Sequence, residues 1–153
     1  MPVNMVDPPY NEALARAILS ALSGMRRRRA RFNRNVGRFV MYVDVPGELK
    51  TVKVVVDVDR FSYTVKVVPL NQTSCLDAAK RRELAEACAE INVSLRDGRF
   101  ELEPASGVVR YNTIVDADGY IPSRPRVAYS VASAIETTLR HGSELPIVAS
   151  REV

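Results

Sequence analysis

The sequence contains few of the residues on which catalytic and metal sites depend. Its 153 residues include one histidine and two cysteines. The histidine, His141, stands beside Gly142, where a helix is expected to end, and no nucleophile lies near it in the sequence. No glycine-rich phosphate loop follows an expected strand, and no Cys/His spacing is typical of zinc. We therefore predict no catalytic residues, no cofactor and no metal, and we interpret the protein as a non-enzyme.

Long apolar runs and paired cysteines are lacking too. No run approaches the ~18–20 apolar residues that span a bilayer, so no membrane association is expected. Residues Met1 to Tyr10 have neither the basic start nor the apolar stretch of a secretory signal. Cys75 and Cys88 fall in one expected helix, about 20 Å apart at ~1.5 Å rise per residue, beyond the ~7 Å limit for a disulfide. We expect a cytoplasmic protein in which Cys88 is a buried core residue.

What is present has the composition of one folded domain. Hydrophobic residues make up 46% and charged residues 26% of the chain, both ordinary values for a globular protein. A chain of this length buries roughly 68–70% of its unfolded surface, so its core needs no disulfide or metal. We predict a single domain over residues 1–153.

The spacing of hydrophobic residues predicts an α+β fold with the order α-β-β-β-α-β-β-α. Helical spacing extends from about Pro8 to Arg29, from Ser74 to about Leu95, and from about Val127 to His141. Between these helices, period-two alternation is typical of antiparallel strands with one covered face. We expect a sheet of five strands with the helices largely on one side. The expected strands are Arg38–Val45, Thr51–Val58, Phe61–Val68, Arg99–Glu103 and Val108–Val115.

Two helix starts have capping signals. Asp7 before Pro8 is typical of an N-cap followed by proline at the first helical position. Ser74 with Asp77 three residues later resembles a capping box with Asp in place of Glu. We therefore predict Asp7 and Ser74 as the N-caps of the first and second helices.

Three short segments in the second half of the chain carry a family resemblance. They are Ile91-Asn92-Val93, Gly98-Arg99-Phe100-Glu101-Leu102 and Gly107-Val108-Val109-Arg110-Tyr111. From Ile91 onward the chain resembles the YbjN-like family of bacterial sensory-transduction regulators, which has the fold of type III secretion chaperones. The resemblance implies a homodimer that binds an unidentified protein client in a regulatory or chaperone-like role. Secretion chaperones tend to be acidic, whereas this chain has a formal charge of +4, so the regulator family is the better comparison.

The matched residues also have structural roles that their chemistry predicts. Gly98 would allow a positive φ after the second helix. Asn92 would satisfy backbone groups at the end of that helix. Phe100 and Tyr111 would cover the helices, and Gly107 would close the turn of the hairpin.

An arginine-rich segment is the strongest local anomaly. It places seven arginines within thirteen residues, without one acid, and subtracting seven from the net charge of +4 gives −3. Clustered guanidinium groups pair well with carboxylates and phosphates. We predict a site for an acidic protein surface or, alternatively, for a nucleic-acid backbone; a solvated helix end that suits the helix dipole is the structural alternative. The seven residues are Arg26, Arg27, Arg28, Arg29, Arg31, Arg34 and Arg38.

Overall fold

A computed structural model describes residues 8–25, 30–72, 77–142 and 144–145. In these residues three helices and six strands form one α+β unit, which confirms the predicted fold class. None of the described helices is both long and apolar enough to cross a bilayer. The elements are α1 (Glu12–Gly24), β1 (Arg31–Asn33), β2 (Arg38–Asp44), β3 (Thr51–Val58), β4 (Ser62–Pro69), α2 (Ala78–Asn92), β5 (Arg99–Leu102), β6 (Val109–Asp116) and α3 (Arg124–Gly142).

The six strands form one antiparallel sheet in the order β1-β2-β3-β4-β6-β5. The first four strands follow each other as a meander. The chain then leaves the sheet as α2, returns at the far edge as β5, and turns back so that β6 lies between β5 and β4. The sheet therefore has two edges, β1 and β5, that come from distant parts of the sequence.

The prediction of five strands was wrong by one. The additional strand, β1, lies in the arginine-rich segment, before the first expected strand. Arg31 pairs with Val40 and Asn33 with Arg38, and the ring of Phe32 stacks on a neighbouring aromatic ring in β2. A three-residue strand is too short to show alternation, so tertiary pairing rather than local pattern defines it.

The hydrophobic core lies between the helices and one face of the sheet. Helix α3 contacts α1, β4 and β6, while α2 contacts β5. Along β3 and β4, every second residue is buried and the residues between them are half-buried. Each fully buried valine contributes on the order of 1.5 kcal/mol or more. The opposite face carries no described helix, and we call it the open face. The strong alternation in the sequence results because the core positions of β3 and β4 are apolar, whereas the positions on the open face are mostly polar.

The helix boundaries differ from the predictions. The N-cap of α1 is Asn11, whose Oδ1 accepts from the backbone N–H of Leu14 at 3.1 Å. The N-cap of α2 is Asp77, whose Oδ1 accepts from the backbone N–H groups of Ala79 and Lys80. Both caps are short polar side chains that stand later than the predicted ones. Asp7 and Ser74 themselves lie outside the described residues. Helix α2 ends at Asn92, earlier than the predicted Leu95.

Two core predictions have opposite outcomes. Cys88 is buried, as predicted, and this burial raises the pKa of its thiol to about 11; Cys75 lies outside the described residues. Phe61 was expected on the covered face together with Tyr63, but its side chain is 62% exposed. The reason is that β4 begins at Ser62, so Phe61 belongs to the preceding turn, where its carbonyl accepts from the N–H of Ala117 at 2.8 Å.

Candidate binding surface on the open face

The described part of the arginine-rich segment is held in place by the turn between β1 and β2. The hydroxyl of Tyr10 donates to the backbone carbonyl of Arg34 at 2.8 Å. Gly37 has φ +71°, and a Cβ there would lie 2.6 Å from Cγ of Tyr10. Only glycine combines this backbone conformation with so close an aromatic ring. The turn thereby fixes the positions of the flanking arginines Arg31 and Arg38.

The structure brings three of the predicted arginines together around one open depression. Arg31, Arg34 and Arg38 line it with Lys53 of β3 and the exposed ring of Tyr42, and it encloses about 640 Å³. We call this surface, defined by these five residues, the cationic hollow. Arg26, Arg27, Arg28 and Arg29 lie outside the described residues. The remaining lining residues are Phe32, Asn33, Asn35 and Val40.

One carboxylate neutralises part of the charge beside the cationic hollow. Asp57 Oδ1 accepts from Arg38 Nε at 2.6 Å, and its Oδ2 accepts from Lys66 Nζ at 3.0 Å. Burial alone would raise the pKa of Asp57, but the hydrogen bonds and charges of the two cations outweigh it and lower that pKa. The same hydrogen bond and charge raise the pKa of Arg38. Arg38 is therefore a paired cation.

The other three cations of the hollow are not paired in this way. Arg31, Arg34 and Lys53 make no ion pair with any residue that the structure describes. The hollow therefore has an excess of positive charge, available for an anionic group. Arg31 and Arg34 are exposed, and Lys53 is half-buried by its strand neighbours.

Apolar side chains accompany these cations on the open face. Val40 pairs with Val55, and Val55 pairs with Lys66 on the next strand. Tyr42, directly opposite Lys53, is 49% exposed. Aromatic residues and arginine are enriched at protein interfaces relative to the rest of the protein surface. The mixture is typical of a surface that contacts another macromolecule.

The far end of the open face has a different charge balance. Glu101 of β5 accepts through its Oε1 from Arg110 Nε at 3.2 Å and from Asn112 Nδ2 at 3.0 Å. Its Oε2 lies 3.4 Å from Arg99 Nε. These contacts occupy the cations of β5 and β6 with a carboxylate from the same sheet. Within the described residues, the unpaired positive charge of the open face thus lies at its β1 end.

The family-like residues lie at the junction of α2 with β5, away from the cationic hollow. Asn92 Nδ2 donates to the carbonyl of Phe100 at 2.9 Å, and the N–H of Phe100 donates to Asn92 Oδ1 at 2.8 Å. We had expected Asn92 to serve the end of its own helix. Instead its amide pairs with both backbone groups of a residue in the edge strand, which an amide can do because it carries a donor and an acceptor.

The other family-like residues fasten the β5–β6 hairpin. Gly98 has the predicted positive φ of 71°, and a Cβ there would lie 2.5 Å from Cζ of Tyr111. The Tyr111 hydroxyl donates to the carbonyl of Asp97 at 2.8 Å, and its ring packs against Phe100 with centroids 5.2 Å apart. Gly107 is buried in the hairpin turn, where its N–H donates to the carbonyl of Glu103. These contacts give each residue a structural role.

Two members of the hollow, Tyr42 and Lys53, were missed from the sequence. They stand in different strands, and only the β2–β3 register makes them neighbours. The alternation did place both on the polar side of their strands, which was the available signal.

The single histidine lies away from any cluster of metal-binding side chains among the described residues. His141 Nδ1 lies 3.3 Å from Oε2 of Glu144 at the end of α3. No group of three or more His, Cys, Asp or Glu side chains that could hold a metal occurs among the described residues.

Comparison with known proteins adds no family to these observations. No protein-family model matches the sequence, and no curated protein matches it significantly.

Proposed function

We propose that this protein is a non-catalytic binding module that holds an acidic segment of another protein in the cationic hollow. The observation that supports it is one depression on the open face that is lined by an exposed tyrosine and by three cations without an ion pair in the described chain. Charge-assisted bonds from arginine to carboxylates are stronger than neutral ones. The ring of Tyr42 adds apolar contact area next to them.

The proposal includes a cytoplasmic homodimer with a regulatory or chaperone-like role. This part is based on the resemblance of the segment from Ile91 onward to the YbjN-like family. Light scattering across a wide range of protein concentrations tests it. A mass of twice 17.0 kDa supports the dimer, and a single 17.0 kDa species at high concentration contradicts it.

A second candidate ligand is the phosphate backbone of a nucleic acid. The same cations could contact phosphates, and Tyr42 could stack on a base, as aromatic residues do in single-strand binding proteins. Such binding falls steeply with salt: six to ten phosphate contacts lose about 10³–10⁵ in affinity between about 50 and 200 mM salt. An acidic protein segment, held partly by apolar contacts, should lose less affinity over the same range.

An affinity pull-down from host lysate, divided into nuclease-treated and untreated halves, tests the proposal. The variant is Arg34→Ser with Lys53→Ser, which removes two cations that have no ion pair within the described residues. The matched control is Lys80→Ser with Arg82→Ser, which removes the same charge from exposed positions of α2.

We expect a discrete protein partner that survives nuclease, is retained by the α2 control and is lost from the hollow variant. Partners that disappear after nuclease treatment would identify nucleic acid as the ligand. A partner retained equally by both variants would show that the cationic hollow is not the binding site.

A further inference from the structure

The opposite side of the sheet contains a strand edge that is paired on one side only. Strand β6 pairs with β4 as far as Asp116, whereas its pairing with β5 stops at Asn112. Residues 113–116 therefore lack a strand partner on the β5 side among the described residues. This edge and helix α3, which contacts β6, line a groove of about 250 Å³, which we call the β6 slot. The slot is lined by residues 113–116 and by Asp97, Tyr120, Arg126, Tyr129, Ser130 and Ser133, with Tyr111 and Ala134.

The hydrogen bonds of β6 show which backbone groups face the slot. The N–H and C=O of Val109 bond to the side chain of Gln72, at 3.0 and 2.8 Å, and the N–H of Ala117 donates to the carbonyl of Phe61. Both partners lie on the β4 side. Because successive residues of a strand alternate their backbone direction, Ile114 and Asp116 direct their N–H and C=O groups into the slot. The carbonyl of Asp116 accepts from the hydroxyl of Tyr120 at 2.7 Å.

Apolar side chains stand on both sides of this edge. Ile114 is 69% exposed, Tyr129 of α3 is 71% exposed, and Tyr120 is 48% exposed. Proteins usually protect an unpaired strand edge with charged residues, proline or a bulge. Ile114 offers none of these at the centre of the slot. The N–H and C=O of Ile114 and the N–H of Asp116, with the flanking apolar groups, are suited to an added strand.

Two-fold pairing of β6 with a second copy through Ile114 is blocked in the slot. The slot is about 13 Å long, since four residues each rise ~3.3 Å, and the turn at Asp97 and Gly98 closes one end. In a two-fold pairing of β6 with itself through Ile114, Asp116 of one copy would face Asn112 of the other. That position is already occupied by Arg99 of β5. A short separate segment avoids this overlap.

The charges of the slot define the chemistry of that segment. Asp97 lies at the closed end and Asp116 at the open end, with Arg126 as the single lining cation in the described chain. Two carboxylates against one cation would repel an acidic segment. A basic segment would pair with the carboxylates, and a neutral segment would avoid the repulsion.

We propose that the β6 slot binds an extended, neutral-to-basic peptide segment of another protein. The segment adds as a strand to β6, packs one apolar side chain against Tyr129 on the α3 side of the sheet, and places the next side chain beside Ile114 on the open face. This site is separate from the cationic hollow, which lies at the other end of the sheet and selects the opposite charge, so the two proposals stand or fall independently.

The test uses a random heptapeptide display library selected against the full chain, followed by calorimetric titration of the enriched peptides. We expect these peptides to carry apolar residues at alternate positions together with lysine or arginine. Ile114→Pro removes an N–H that faces the slot and leaves the pairing with β4 intact. It should weaken binding about tenfold, because the peptide loses one hydrogen bond and the proline ring obstructs the edge. Ile114→Thr keeps the N–H and should weaken binding much less.

Two side-chain variants complete the test. Tyr129→Ala should weaken binding severalfold, whereas Tyr42→Ala, in the cationic hollow, should leave it unchanged. If circular dichroism shows that Ile114→Pro does not fold, the comparison of Tyr129→Ala with Tyr42→Ala decides whether the peptides bind in the β6 slot.

Equal binding by the wild type and Ile114→Pro would overturn the proposal, as would a selection that enriches no peptide. A dimer in light scattering that Ile114→Pro abolishes would show that the occupant is a second copy. Enriched acidic peptides that are lost with Arg34→Ser and Lys53→Ser, but retained by Ile114→Pro, would support the cationic hollow and contradict a peptide site in the slot.

Discussion

The two ends of the sheet offer binding groups of different kinds. At the β1 end, side-chain charge dominates: Arg31, Arg34 and Lys53, which make no ion pair in the described chain, line one depression with Tyr42. At the β6 end the binding groups are backbone N–H and C=O groups, exposed because β5 is shorter than β6. Charge can be read from a sequence, but an unpaired strand edge depends on the relative lengths of neighbouring strands. The arginine-rich segment was therefore visible from the sequence, and the β6 slot was not.

The largest expected effect concerns the turn that closes the β6 slot. Gly98→Ala should destabilise the protein by about 3 kcal/mol, because the left-handed conformation costs a non-glycine residue about 1–2 kcal/mol and the new Cβ would meet the Tyr111 ring and the carbonyl of Asn112. Chemical denaturation measures this difference.

Gly119→Ala is the matched control for this change. Gly119 also has a positive φ, of 81°, but a Cβ there meets nothing within 4 Å. Its substitution should lower the free energy of unfolding by only about 1–2 kcal/mol, the cost of the left-handed backbone conformation for alanine. Equal losses for the two variants would show that Gly98 is not held by its packing against Tyr111.

The next effect concerns the attachment of α2 to the edge strand. Asn92→Ala should cost about 2 kcal/mol, because it leaves the N–H and C=O of Phe100 without their side-chain partner in a half-buried position. The neighbouring substitution Val93→Ala, at a side chain that is 87% exposed, should change the unfolding free energy by less than about 0.5 kcal/mol. If both variants unfold at the same denaturant concentration, the two hydrogen bonds do not hold β5.

How much of this architecture is predictable depends on the range of the interaction. The alternation along Thr51–Val58 gives the bounds of β3 because every second residue is a valine that enters the core. The cap of α2 was misplaced by three residues, since Ser74 and Asp77 are both good caps and local sequence does not decide between them. Strand β1, the neighbours Tyr42 and Lys53, and the bonds of Asn92 all depend on tertiary pairing. Such contacts leave no periodic signal in the sequence.

The smallest expected effect concerns the carboxylate beside the cationic hollow. The pKa of Asp57 is lowered in the folded protein, so its ion pairs stabilise the fold above the unfolded-state pKa of about 3.9. This contribution is lost as the pH falls through the lower folded-state pKa. Asp57→Asn should cost about 1 kcal/mol at neutral pH, since the pairs are partly exposed, and progressively less in acid.

Urea denaturation of the wild type and Asp57→Asn at neutral and acidic pH checks this dependence. Asp118→Asn is a suitable control, because Asp118 is exposed and makes no ion pair within the described part of the chain. A penalty for Asp57→Asn that is the same at both pH values would indicate that the lost contacts are not ionic.

The most direct test of the cationic hollow is an NMR titration of the ¹⁵N-labelled protein with the partner recovered in the pull-down. Our account predicts that the largest amide shift changes occur at Arg34, Arg38, Tyr42 and Lys53, and that they are greatly reduced by Arg34→Ser with Lys53→Ser. Shift changes confined to the helices, or to residues 113–116 of β6, would contradict the assignment of partner binding to the cationic hollow.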